Sequence, residues 1–169
     1  MSNTENLNNE EAINKLKSLV DDIMVCLFCT NLKIDDGSTC RPMTVIKVCD
    51  QGNLWFYSEK NSIKNKEIEQ NKHVQLFFSS PAKSSYLVVN GDAEIILDKS
   101  QIEELWTPAA KIWFKEGKDD PTISIIKVSP TSCYYWDTDG NRMINFLKMV
   151  ASVVTGANLV TGNQGALNV

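Results

Sequence analysis

The chain has one histidine, no long run of basic residues and no apolar stretch long enough to cross a membrane. Each shortage removes a class of function. The single imidazole, His73, follows an Asn-Lys turn at the start of a strand-like run. No evident partner completes a Ser-His-Asp triad with it, so a structural or surface role is expected. The net charge is −4. Without a basic stripe, the chain lacks the means to displace counterions that broad nucleic-acid binding uses. A membrane span needs roughly 20 consecutive apolar residues, and none is present. The opening MSNTENLNNEEAINK has neither the basic nor the apolar region of a secretory signal, so a cytoplasmic location is expected.

Cysteine is present but badly arranged for chemistry. The five residues Cys26, Cys29, Cys40, Cys49 and Cys133 are odd in number and irregular in spacing, and reduced thiols are expected. Cys26-x-x-Cys29 suggests zinc or dithiol chemistry. On a strand, however, positions i and i+3 point to opposite faces. No second cysteine pair supports it, so no metal site is expected.

The 169 residues, with 43% hydrophobic and 22% charged, suit one folded domain with a real core. Residues 1–8 are polar and expected to be disordered, leaving 9–169 as the domain. From Glu10, the residues Ile13, Leu16, Val20 and Ile23 recur at helical spacing, with Asn8 and Glu11 placed for a capping box. IMVCLFCTN (23–31) reads as a buried strand, HVQLFFS (73–79) as another, and SSYLVVNGDAEIIL (84–97) as a longer one. Its Asn90-Gly91 signals a hairpin turn, a bulge or a bend. Asp98 with Gln101 opens a helix that Pro108 interrupts. TISIIKVS (122–129) and SCYYWDT (132–138) read as two strands separated by Pro130. Residues 141–154 read as an amphipathic helix, and the tail GNQGALNV as a short edge strand. Six or seven strands at this spacing predict a small β-barrel flanked by helices.

The most informative stretches are RPMTVIKV (41–48) and LWFYSEKNSIKNKEI (54–68). Asp50-Gln51-Gly52 between them predicts a β-hairpin. Folding about Gln51 pairs positions whose numbers sum to about 102. Arg41 then falls opposite Asn61, between Ser58 and Ser62. A helix starts near Ser62, with Lys64 in its first turn. A guanidinium, an ammonium, two hydroxyls and free helix amides converge, which is the donor set a phosphate dianion requires. The same residues also fit a surface hairpin with solvated charges and an ordinary serine cap. Among the aromatic residues, most are expected in the core. Trp113-Phe114, beside a Pro/Gly-bounded turn, is the candidate to face a flat ring.

These motifs carry a resemblance. RPM (41–43), G-x-LWFYS (52–58), S-x-K (62–64), HVQLFF, ELW (104–106), WFKEGKDDP (113–121) and YYWD (134–137) occur in order. Together they resemble the general stress protein 26 family, within the pyridoxamine 5′-phosphate oxidase-like, FMN-binding split-barrel group. The resemblance implies a mainly β (α+β) fold, a six-stranded split β-barrel that is homodimeric, with FMN at the interface between two copies. It implies that Arg41, Ser58, Ser62 and Lys64 hold the phosphate. Backbone around Met43 and Thr44 lies along the isoalloxazine ring, Tyr57 beside the ribityl chain, and Trp113 near or across the interface. The implied activity is that of a flavin-dependent oxidoreductase with a small-molecule electron donor and acceptor, and no catalytic side chain is identified. A non-catalytic flavin-binding or redox-sensing protein, or an F420- or haem-binding barrel, is the alternative. The chain departs from pyridoxamine 5′-phosphate oxidases proper. It has Ile63-Lys64 in place of their Arg-Lys pair, Ile46 in place of a strand lysine, and GALNV in place of a basic substrate motif. A true pyridoxamine phosphate oxidase is therefore not expected.

Overall fold

The computed structural model describes residues 3–32, 39–138 and 162–169. In chain order, β1 (Asn3–Thr4) and β2 (Leu7–Asn8) precede α1 (Asn9–Ile23) and β3 (Val25–Thr30). Then come β4 (Thr39–Val48), β5 (Leu54–Glu59), α2 (Ile63–Gln70), β6 (His73–Ser80) and β7 (Ser85–Ile96). The rest is α3 (Lys99–Leu105), 3₁₀ turns at Pro108–Ile112 and Gly117–Asp119, β8 (Ile123–Thr138) and β9 (Gly162–Asn168). The helix expected over 141–154 lies outside the described residues.

Six of these strands close on themselves. The order β8-β5-β4-β3-β6-β7 is completed by a β7–β8 pairing, and every neighbour in the ring is antiparallel. Closure leaves the ring without an open edge. The fold is therefore the mainly β split barrel, with helices outside it. β9 adds to β8, and β1 and β2 pair with β9 in parallel, so residues expected to be disordered contribute two short ladders.

Strand alternation builds the interior. Phe28, Phe56, Leu54, Leu76, Leu87, Val89, Ile126 and Tyr135 are fully buried, with Leu16 and Val20 of α1 packed against them. A second cluster lies under α3, on the opposite side of β5. It joins Trp55, Ile102, Leu105, Phe114, Ile123 and Ile125.

Three local details differ from the sequence expectation. The two strands expected around Pro130 are the single strand β8. Pro130 pairs with Gly91 where the β7–β8 register shifts, so a residue without an N–H sits at a bulge instead of breaking a ladder. A Cβ at Gly91 would stand 2.6 Å from the Ser129 carbonyl oxygen, which is why glycine occupies this crossing. Asn8 is the N-cap of α1, yet its side chain makes no capping bond; it accepts one from Asn168 instead. Finally, Cys29 and Cys40 are cross-strand partners joined by a disulfide, which overturns the expectation of five reduced thiols. Spacing along one strand does not reveal a partner on the next.

Candidate functional site

The hairpin turn folds as its composition predicts. Gly52 takes φ +79°, and its N–H bonds the Cys49 carbonyl at 3.0 Å. Val48 pairs with Leu54 and Lys47 with Trp55, the expected register. Ile46 is then bulged out, and Val45 pairs with Phe56. Beyond this point β4 continues against β3, where Arg41 lies opposite Phe28. Arg41 therefore reaches its neighbours from the inward face of β4, and not as the ladder partner of Asn61.

The polar cluster forms around the start of α2. Ser62 caps the helix and accepts from the Asn65 N–H at 3.4 Å. Lys64 Nζ donates to Ser62 Oγ at 3.2 Å, and Ser58 Oγ lies 3.5 Å from the same oxygen. Ser58 is held by an interior network: its hydroxyl donates to Asn65 Oδ1 at 2.6 Å, and Asn65 Nδ2 donates to Ser124 Oγ at 2.9 Å. Asn65 and Ser124 are buried. Their mutual bonds satisfy groups that would otherwise cost stability.

Arg41 completes the cluster. Its guanidinium donates to Thr30 Oγ1 at 2.6 Å and to Glu67 Oε2 at 3.0 Å. Thr30 also donates to Glu67. The Glu67 carboxyl is lowered below its usual value: burial opposes this, but hydrogen bonds from Thr30 and Arg41 outweigh it. Lys64 is lowered too, first by burial and then by the nearby Arg41 charge, while Glu59 acts in the opposite direction. Lys64 thus lies at the helix N-terminus with the Arg41 charge near enough to lower it, and Glu67 is the one carboxylate in direct contact with Arg41 among the described residues. Such a place favours an anion.

The remaining expected site residues lie around this cluster on different faces. Met43 is half-buried against the barrel core, on the same inward face as Arg41. Thr44 is exposed on the opposite face, paired with Val25. Tyr57 points away from Ser58 toward the second cluster, as neighbours on a strand must. Its hydroxyl donates to the Leu105 carbonyl and accepts from the Thr107 N–H at 2.9 Å. Phe114, not Trp113, packs edge-on against Tyr57 at 6.1 Å. Trp113 is 63% exposed.

Of the expected phosphate residues, Ser58, Ser62 and Lys64 lie within bonding distance of one another and Arg41 contacts Thr30 and Glu67; sequence reading missed Thr30, Asn65 and Glu67. Asn65 follows the cap and gave a weak local signal. Glu67 on a polar helix face gave none. His73 is a surface residue whose Nδ1 lies 2.6 Å from Asp92. Among the described residues no cluster of His, Cys, Asp or Glu could hold a metal, and no helix is long and apolar enough to cross a membrane.

A family model described as pyridoxamine 5′-phosphate oxidase like matches residues 11–159. The chain belongs to that family. Solved structures named for general stress protein 26 share the barrel. The one assigned so from Jannaschia sp. CCS1 superposes with a TM-score of 0.76 at 20% identity, over 94% of this chain and 99% of that one. A general stress FMN/FAD binding protein from Xanthomonas citri gives 0.64 at 20% identity, over 77% and 90%. Protein bli-3 of Neurospora crassa is 22% identical over 111 residues, 61% of this chain. The match spans 53%, about half, of the length of that curated relative. In this pyridoxamine 5′-phosphate oxidase-like protein, the S-x-K segment is the start of α2 and the FYS segment is the end of β5.

Proposed function

We propose that the protein binds FMN and acts as a flavin-dependent oxidoreductase, with Arg41, Ser58, Ser62 and Lys64 holding the cofactor's phosphate. The observation that carries this reading is the group at the N-terminus of α2, where Lys64 donates to Ser62 Oγ beside Ser58, and where burial and the nearby Arg41 charge both disfavour the bare ammonium. A phosphate dianion relieves that repulsion, takes bonds from the guanidinium and ammonium, and accepts from the serine hydroxyls and helix amides. A structural neighbour described as FMN/FAD binding supports the same ligand class. When bound, FMN supplies the electron-transfer chemistry, and the protein binds, orients and tunes it. Met43, Thr44, Tyr57 and Trp113 are assigned to the rest of the cofactor. The Tyr57 hydroxyl is already committed to Leu105 and Thr107, so it acts as a fixed wall.

The site is completed by a second copy of the chain. Two cavities of about 400 and 450 Å³ flank the hairpin turn and α1, and neither includes a residue of the polar cluster. The outer face of the barrel carries large apolar side chains. Leu27, Phe77, Tyr86, Tyr134 and Trp136 are exposed there, aligned by the pairings Leu27↔Phe77 and Tyr86↔Trp136. A contiguous apolar band of this kind marks an interface. Light scattering checks it: twice the chain mass is expected, and a monomer at all concentrations overturns it.

The visible absorption spectrum of the purified protein tests the cofactor, with acid release and mass identification of any ligand. A flavin spectrum with released FMN is expected. A colourless protein that ignores added FMN contradicts the reading and turns attention to F420 and haem. Reduction by NADH or NADPH, compared with free FMN, then separates an enzyme from a flavin carrier.

A further inference from the structure

The two free thiols in the barrel core and the one at the hairpin turn differ in kind. Cys26 and Cys133 are buried among apolar groups, which pushes both thiols up to about 12 and leaves them inert. Cys49 is only partly buried and begins the β4–β5 turn. Its backbone is fixed on both sides: its N–H bonds the Asn53 carbonyl at 3.0 Å, and its carbonyl accepts from Gly52. Its Sγ lies 3.1 Å from Gln51 Oε1.

A second observation points at the same sulfur. The indole Nε1 of Trp55 is buried with no hydrogen-bond partner, and Trp55 is only 8% exposed. Trp55 packs in the cluster that Cys49 joins, and both residues line a cavity of about 400 Å³. Burial raises the Cys49 thiol. Backbone N–H groups of Gln51 and Asn53, and the Trp55 and Asn53 side chains, together lower it further than burial raises it. The charges around the cavity are mixed. Lys47 faces it and lies 3.6 Å from Glu104, while Asp50 also lines it but is bonded to Lys17 at 2.6 Å. The indole N–H has no hydrogen-bond partner, yet the Trp55 side chain is among the groups that lower the Cys49 thiol and both residues line one cavity, so a thiolate or a sulfur-bound oxygen at Cys49 would supply the acceptor it lacks.

We propose that Cys49 is a peroxide-reactive thiol, whose oxidised form is stabilised by the Trp55 N–H and opens into the adjoining cavity. The thiolate sulfur attacks one oxygen of hydrogen peroxide, an S–O bond forms, the O–O bond breaks, and hydroxide leaves. Sulfur is oxidised by two electrons to the sulfenic acid, and the peroxide is reduced. A low-molecular-weight thiol then displaces water from the sulfenic acid and forms a mixed disulfide, for which the cavity gives room. The inference does not depend on the flavin reading.

The test uses the full chain, treated with hydrogen peroxide in the presence of dimedone, a trap for sulfenic acids, followed by peptide mass mapping. A single adduct on Cys49 is expected, and none on Cys26 or Cys133. Cys49→Ser abolishes labelling, and Trp55→Phe slows it several-fold with the pH midpoint of reaction moved upward. Labelling of Cys26 or Cys133 with Cys49 untouched overturns the proposal, and so does a wild-type rate in Trp55→Phe. If Trp55→Phe fails to fold, the wild-type rate at pH 7 decides. A Cys49 that reacts faster than free N-acetylcysteine supports the proposal, and one that reacts no faster overturns it.

Discussion

The two faces of β5 solve opposite problems with the same six residues. Phe56 and Ser58 point to one side, Trp55 and Tyr57 to the other. On the first side an apolar core runs into a charged cluster, and nearly every polar group there is bonded to another. On the second side the surroundings are aromatic and aliphatic; Tyr57 ties its hydroxyl to the backbone, and Trp55 leaves its N–H unmatched. The comparison shows where each side is incomplete. The Ser58 side has bonds in place but two cations with a single direct carboxylate partner among the described residues, Glu67 on Arg41. The Trp55 side has a donor and no acceptor. Each deficit names its missing chemistry: an anion on one side, a thiolate or oxygen on the other.

The largest expected effect is on the Ser58 side, where the apolar core begins. Phe56 is fully buried and meets Phe28 edge-on at 5.2 Å. Phe56→Ala removes both and opens a cavity, at a cost of about 3–5 kcal/mol in urea unfolding. A loss near zero would mean that this face of β5 is not the core.

Next comes the interior network. Asn65→Ala strips Ser58 and Ser124 of a shared partner, and the expected loss is about 1–3 kcal/mol. It also loosens the Ser58 hydroxyl, so FMN affinity falls with it. A variant that loses stability while binding FMN unchanged would separate the network from the site.

The smallest effect concerns Glu67, through its dependence on pH. Its folded value is lowered, so the stability it contributes is present above the unfolded value of 4.5. That stability is lost as pH falls through the lower folded value. Glu67→Gln flattens this acid limb in chemical denaturation as pH falls below 4.5. It also removes a negative charge beside Arg41, so phosphate binding strengthens. An unchanged acid limb would mean that Glu67 and Arg41 do not pair in solution.

How far these features could be read from the chain depends on their range. The hairpin register next to the turn, the Ser62 cap and the Asp98 cap rest on residues close in sequence and are found as expected, whereas the register expected to carry Arg41 opposite Asn61 breaks at Ile46. The Gly91 distortion was visible as one of three possibilities; only the crossing with Pro130 on β8 identifies it as a bulge. Pro130 itself misled for the same reason, since the partner strand that accommodates it is far along the chain. Cys29 and Cys40 meet across two strands, and nothing in their spacing announces it. Glu67 is a similar case. It sits among Lys, Asn and Gln on a short polar helix, and only the fold brings Arg41, 26 residues away, into contact. The site was legible where the hairpin and its following helix made it local, and hidden where β3 supplies Thr30 and α2 supplies a carboxylate.

The most direct test of the account is a titration of the apoprotein with FMN and with riboflavin, which lacks the phosphate. The wild-type chain should prefer FMN by about 10–100-fold, the range expected for charge-assisted bonds of 1.5–3 kcal/mol. Arg41→Ala combined with Lys64→Ala should abolish that preference while the far-UV circular dichroism stays the same. Equal affinity for the two ligands in the wild-type chain, or an undiminished preference in the double variant, would contradict the phosphate site.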